Sequence, residues 1–85
     1  ALQTRKPIYP PLAMRQKITA EIVVSALVSE NGTVLDTKIL RGEQRRLGFN
    51  EAGINAARQF TFVPAMKDGK RVRTWVPIPF EFKIQ

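Results

Sequence analysis

The tightest constraint in this sequence is its last long stretch, residues 72–84, Val-Arg-Thr-Trp-Val-Pro-Ile-Pro-Phe-Glu-Phe-Lys-Ile. Every second residue (Val72, Thr74, Val76, Ile78, Phe80, Phe82, Ile84) falls in a nearly unbroken apolar row. The alternate row holds Arg73, Trp75, Pro77, Pro79, Glu81 and Lys83. A period of two is that of a half-buried strand. Pro77 and Pro79 cannot donate to a ladder, so this strand must leave one side unpaired and lie at a sheet edge. An open edge either promotes self-association or receives a partner's strand.

A second alternating stretch covers residues 18–29, with Ile18, Ala20, Ile22, Val24, Ala26 and Val28 on one face and a mixed second face carrying Val23 and Leu27. Apolar residues on both faces place this strand in the middle of the sheet. Glu30-Asn31-Gly32 then supplies a tight hairpin, and residues 33–41 form the next strand. Alternation fails there, and a bulge or twist between Val34 and Ile39 would let both point inward. Phe49, Ala52, Gly53, Ala56, Ala57 and Phe60 recur at helical spacing, with Asn50 expected as the N-cap and Glu51 in the first turn. A shorter helix is expected over residues 11–16, where Pro11 starts a run of helix formers. Residues 67–70, Lys-Asp-Gly-Lys, read as a polar turn into the last strand. The expected fold is α+β, ordered helix, strand, strand, helix, strand, with a three-stranded antiparallel sheet and both helices on one face. Residues 1–10 form an extended lead-in arm, whose Tyr9 is expected to dock it on the body, and residues 11–85 form the domain.

Length and composition narrow the function. Eighty-five residues make one small domain, and no apolar run is long enough to span a bilayer. The start at Ala1 does not resemble a signal peptide, and the chain reads as an excised domain. With no cysteine and no histidine, the chain lacks thiolate metal ligands and the commonest general base, and no cofactor, metal or catalytic residue is expected. Seven carboxylates are spread without a conspicuous pair, so the chain is not read as an enzyme. Fourteen Lys and Arg against seven Asp and Glu give a net charge of +7, concentrated locally at Lys67, Lys70, Arg71 and Arg73. A charge of this sign suits nucleic acid, an anionic membrane surface or an acidic partner protein, and for most of these residues it reads simply as a solvated surface.

Several residues in order carry a resemblance: Tyr9-Pro10 with Ala13; Gly32-Thr33-Val34; Ile39; a helix from Phe49-Asn50-Glu51-Ala52 to Ala56-Ala57-Arg58; Phe60-Thr61-Phe62-Val63-Pro64-Ala65; Gly69; and Trp75-Val76-Pro77-Ile78-Pro79-Phe80-Glu81-Phe82. Together, over about residues 7–84, they resemble the C-terminal domain of TonB energy transducers. The resemblance implies a periplasmic domain of a Gram-negative bacterium, carried by an inner-membrane-anchored protein. Its implied task is to hold the TonB box of outer-membrane transporters by strand addition to the last strand, and to transmit inner-membrane-derived energy for uptake. Inner-membrane proton-channel partners would be met through regions outside this chain. Carried over position by position, the implied partner-binding residues are Lys6, Pro7, Ile8, Tyr9 and Pro10 in the arm, and Arg73, Thr74, Trp75, Val76, Pro77, Ile78, Pro79, Phe80, Glu81 and Phe82 at the edge. Lys6 stands where the family's arm has glutamine, and Pro77 adds a second proline to the familiar one at Pro79.

The paired prolines have a consequence of their own. Residues of one parity aim their N–H and C=O groups to the same side, so Pro77 and Pro79 remove two donors from one edge. An added strand is therefore expected to pair mainly near one end, where Arg73 and Trp75 or Glu81 and Lys83 keep theirs. The alternative reading is an envelope assembly or dimerisation module in which the same edge pairs with a second copy. A nucleic-acid or lipid-headgroup patch at residues 67–73 is a third reading. Only Trp75 accompanies those charges, and no nucleic-acid partner is expected. Trp75 itself reads equally as a partner contact or as packing under the arm through Tyr9.

Overall fold

The computed structural model describes residues 2–84. Five strands and two helices follow in the order α1 (Pro11–Arg15), β1 (Ala20–Val28), β2 (Val34–Arg41), α2 (Phe49–Ala57), β3 (Ala65–Lys67), β4 (Lys70–Val72) and β5 (Thr74–Phe82). The main sheet is antiparallel in the order β2-β1-β5, and β3 and β4 form a separate hairpin. The three-stranded sheet, its central strand and its helix-bearing face agree with the sequence reading.

β1 is central because it is apolar on both sides. Ile22, Val24, Ala26 and Val28 are fully buried beneath the helices, and Val23 and Leu27 are half-buried on the other face. Against the first face β5 contributes Ile78, Phe80 and Phe82. α2 closes the layer with Phe49, Gly53, Ala56 and Ala57. Gly53 sets the closeness of that packing, since a Cβ there would fall inside contact distance of Ile22 and against Val24. Edge-to-face aromatics finish the core: Phe49 and Phe82 lie 4.9 Å apart and Phe60 and Phe80 5.8 Å apart.

Helix ends depart from the sequence reading. Asn50 is not the N-cap. The cap lies two residues earlier, on Gly48 in the left-handed region, and no side chain caps it. Asn50 instead accepts a hydrogen bond from the Glu43 N–H and donates one to the Glu43 carbonyl, pinning the 42–48 loop onto the helix. In that loop the Arg45 guanidinium and backbone N–H hydrogen-bond the Glu43 carboxylate and hold its pKa down at about 2. α1 stops through Lys17 in the left-handed conformation, with Ile18 N–H reaching Ala13 O at 2.9 Å and Lys17 N–H reaching Met14 O at 3.2 Å. That is a Schellman stop without the usual glycine.

Two further differences concern strands. β2 carries irregularities at both ends: Leu35 is extra between the Val28↔Val34 and Leu27↔Asp36 pairs, and Leu40 is extra between Val24↔Ile39 and Val23↔Arg41. The first is the expected bulge, and the second goes beyond it. Residues 65–72 are a hairpin, not a simple turn, so Val72 belongs to β4 and the last strand begins at Thr74. Asp68 and Gly69, with φ of 53° and 77°, form the two-residue turn that suits right-twisted strands. Three-residue strands are too short for alternation to reveal.

Candidate partner-binding edge

The main sheet has two outer strands, and they differ in how open they are. On β2 only a short run lies between its two bulges, and the Asp36 carboxylate accepts the Thr37 N–H at 2.8 Å. Bulges and an inserted charge are devices that blunt an edge. β5 is straight by comparison: its pairing with β1 continues without a shift from Ala20↔Phe82 to Val28↔Thr74.

That unbroken ladder fixes which way β5 turns its backbone. Pro77 lies opposite Ser25 and Pro79 opposite Val23. A ladder passing through both prolines requires their nitrogens to point away from β1, so Val76, Ile78 and Phe80 bond inward. The outward backbone groups within β5 therefore belong to Trp75, Pro77, Pro79 and Glu81. Among these only Trp75 and Glu81 have an N–H to offer.

The two ends of the edge are not equivalent. At the Glu81 end, Lys6, Pro7, Tyr9, Met14, Glu81, Phe82 and Lys83 line a groove of about 600 Å³. At the Trp75 end the chain enters from the β3–β4 hairpin, and the Arg73 guanidinium is engaged by Glu30 at 3.0 Å. The Trp75 indole lies on the open sheet face beneath Lys38 Nζ, 4.3 Å from the ring centroid. A side chain reaching from β2 to β5 crosses β1 near Ser25, the cross-strand partner of Lys38, which accounts for the burial of that serine on an otherwise open face.

The arm is fixed at both ends and open between them. Leu2 N–H donates to Thr61 O at 2.7 Å and Thr61 N–H to Gln3 O at 3.0 Å. Tyr9 packs edge-to-face on Phe49 and Phe82, with centroids at 5.9 and 5.6 Å, and donates its hydroxyl to Ile18 O at 2.5 Å. Tyr9 thus docks the arm as expected, and Trp75 does not pack with it. Pro10 is buried and its carbonyl accepts the Met14 N–H, while Ile8 is 82% exposed. We expect Tyr9→Phe, which leaves Ile18 O without its donor, to lower stability by about 1 kcal/mol in urea unfolding while preserving the rings' contacts.

The sequence-derived site residues thus divide by backbone parity and place. Lys6, Pro7, Tyr9, Glu81 and Phe82 meet in one groove. Arg73, Trp75, Pro77 and Pro79 lie along the remaining edge or its open face, and Thr74, Val76, Ile78, Phe80 and Phe82 turn toward the helices. Met14 and Lys83 belong to the groove and were not assigned to the site from sequence. Lys83 was signalled by the alternate row, whereas nothing local marks Met14.

A family model described as Gram-negative bacterial TonB protein C-terminal matches residues 5–84. The chain is 28% identical over 83 residues to Protein tonB2 of Pseudomonas aeruginosa, covering 98% of this chain and 30% of that protein. It is 27% identical over 78 residues to Protein TonB of Xanthomonas campestris pv. campestris, covering 92% of this chain and 34% of that one. The chain thus spans about a third of the length of the curated relatives it matches. A solution NMR structure of the Pseudomonas aeruginosa TonB CTD superposes with a TM-score of 0.77 at 25% identity, covering 98% of this chain and 83% of the other.

Proposed function

The chain belongs to the C-terminal domain family of Gram-negative bacterial TonB proteins, and from that premise we propose that it is a peptide-receiving domain and not an enzyme. It works in the periplasm on an inner-membrane-anchored protein, takes the TonB box of outer-membrane transporters as a strand added to β5, and passes on inner-membrane-derived energy for uptake. The observation that carries this reading is the unpaired outer side of β5 beside the groove at Glu81. Strand addition draws on backbone groups, which a straight edge offers and the bulged, carboxylate-capped edge of β2 does not.

The positions of the prolines add direction. The middle of the edge offers carbonyls without donors, so the added strand is held at the Glu81 end, where Lys6 and Lys83 also present positive charge to an acidic segment. The same prolines weaken pairing of β5 with a second copy, which disfavours the dimerisation reading.

Titration with extended peptides taken from the N-termini of outer-membrane transporters, followed by amide NMR, tests this. The expected result is saturable shifts concentrated at residues 81–83 and in the arm, with Thr37 unmoved. Absence of binding across the panel, together with concentration-dependent self-association in sedimentation, would replace peptide capture by assembly.

A further inference from the structure

The β3–β4 hairpin carries Lys67, Lys70 and Arg71 against a single carboxylate, Asp68 at its turn, and so keeps a net charge of +2 that its own fold does not neutralise. Lys67 and Lys70 sit directly opposite each other in the register, and Met66 sits opposite Arg71. Like charges facing across a hairpin destabilise it, and a two-stranded hairpin is marginal in water to begin with. Among the described residues, the ion pairs are Arg45–Glu43, Arg73–Glu30 and Lys83–Glu81, so Lys67, Lys70 and Arg71 have no acidic partner. All three are exposed, and only Ala65 and Val72 turn partly inward.

The apolar residues here are also misplaced for a solvated loop. Met66 is 60% exposed and Val63, just before the hairpin, 71%. Cations flanking exposed apolar side chains on a projecting element match a bilayer's outer zone, where ammonium and guanidinium groups meet headgroup phosphates and a thioether reaches the acyl boundary. We propose that the β3–β4 hairpin is a docking finger for an anionic phospholipid surface, with Lys67, Lys70 and Arg71 on the phosphates and Met66 directed into the interface. The hairpin adsorbs and does not span, since its strands have three residues each and a membrane-crossing strand needs about nine to eleven. It is separate from the groove at Glu81, whose lining includes none of its residues. The shape also separates lipid from other anions. A tight two-residue turn makes a convex tip, which fits a plane better than it encloses a peptide, and residues 65–72 carry no aromatic ring on which a base could stack.

Flotation of the domain with phosphatidylcholine vesicles containing about one-third phosphatidylglycerol tests the assignment, with pure phosphatidylcholine as reference. Binding is expected only to the anionic vesicles and is lost as salt rises from about 0.05 to 0.5 M. Each cation removed from the finger lowers partitioning about fivefold, so Lys70→Gln with Arg71→Gln lowers it about twenty-five-fold. Met66→Ser weakens it in the same direction. Arg46→Gln with Arg58→Gln removes the same net charge from exposed positions elsewhere and is expected to change partitioning by no more than about twofold. Because Lys70→Gln relieves the Lys67↔Lys70 repulsion, its melting temperature should not fall, which keeps loss of binding apart from loss of fold. Equal losses from the two double variants would overturn the proposal in favour of diffuse attraction by the whole +7 chain. So would absence of anionic-vesicle binding. Capture of a poly-glutamate peptide without vesicle binding would assign the cluster to an acidic protein segment instead.

Discussion

Replacing Gly32 by alanine is expected to remove about 3 kcal/mol from a domain whose whole stability, at this length, is on the order of 4–13 kcal/mol. Three effects act together. Gly32 has φ of 86°, where an L side chain costs about 1 kcal/mol. The added Cβ falls inside contact distance of the Phe62 carbonyl oxygen, a backbone atom that cannot swing aside as a side-chain tip can. Moving that segment away then stretches the hydrogen bond from Phe62 N–H to Gly32 O, now 2.8 Å, worth about 1 kcal/mol more. Gly69→Ala separates the contributions: its φ of 77° carries similar strain, yet nothing lies within 4 Å of the new Cβ. Urea unfolding should therefore show a loss of about 1 kcal/mol for Gly69→Ala and roughly three times that for Gly32→Ala. Equal losses would mean that the 60–64 segment does not rest on the hairpin as described.

The same contact shows what sequence could and could not reveal. Asn31-Gly32 reads as a turn from local chemistry alone, but its docking on Phe62 depends on where α2 returns the chain. The alternation in β1 and β5 and the thin stripe of α2 were readable because each encodes which side meets the core. Asn50 was misassigned because a short polar residue before a helix suits both an N-cap and a tether to a neighbouring loop, and only the position of Glu43 decides between them. Lys17 ends α1 without the glycine that normally signals such a stop. The candidate edge was readable because a proline's missing donor is a local fact. The groove at its Glu81 end was not, because Lys6, Met14 and Lys83 come together only after α1 packs and Tyr9 docks against both Phe49 and Phe82.

Glu81→Pro is expected to reduce capture of a TonB box peptide at least about fivefold while leaving the domain folded. The unbroken β1–β5 ladder turns the Glu81 N–H outward, so proline there removes no bond to β1, and Pro77 and Pro79 already occupy the same parity in this strand. What it removes is the donor beside the groove at the end where we propose that an added strand is held, and a bond lost from a partly desolvated interface costs about 1–3 kcal/mol, five- to more than a hundredfold in affinity. The lost Glu81–Lys83 pair matters little, being exposed, and Glu81 lies opposite Glu21, so its charge adds repulsion as well as attraction. Glu81→Gln keeps the N–H and drops only the charge, and should hold peptide within about threefold of the parent. Trp75→Pro strips the donor at the other end and should weaken capture far less. Calorimetric titration of the three variants, with urea unfolding as the check on fold, distinguishes backbone pairing at Glu81 from a side-chain contact: if Glu81→Gln loses as much affinity as Glu81→Pro, the carboxylate and not the strand edge is what the partner reads.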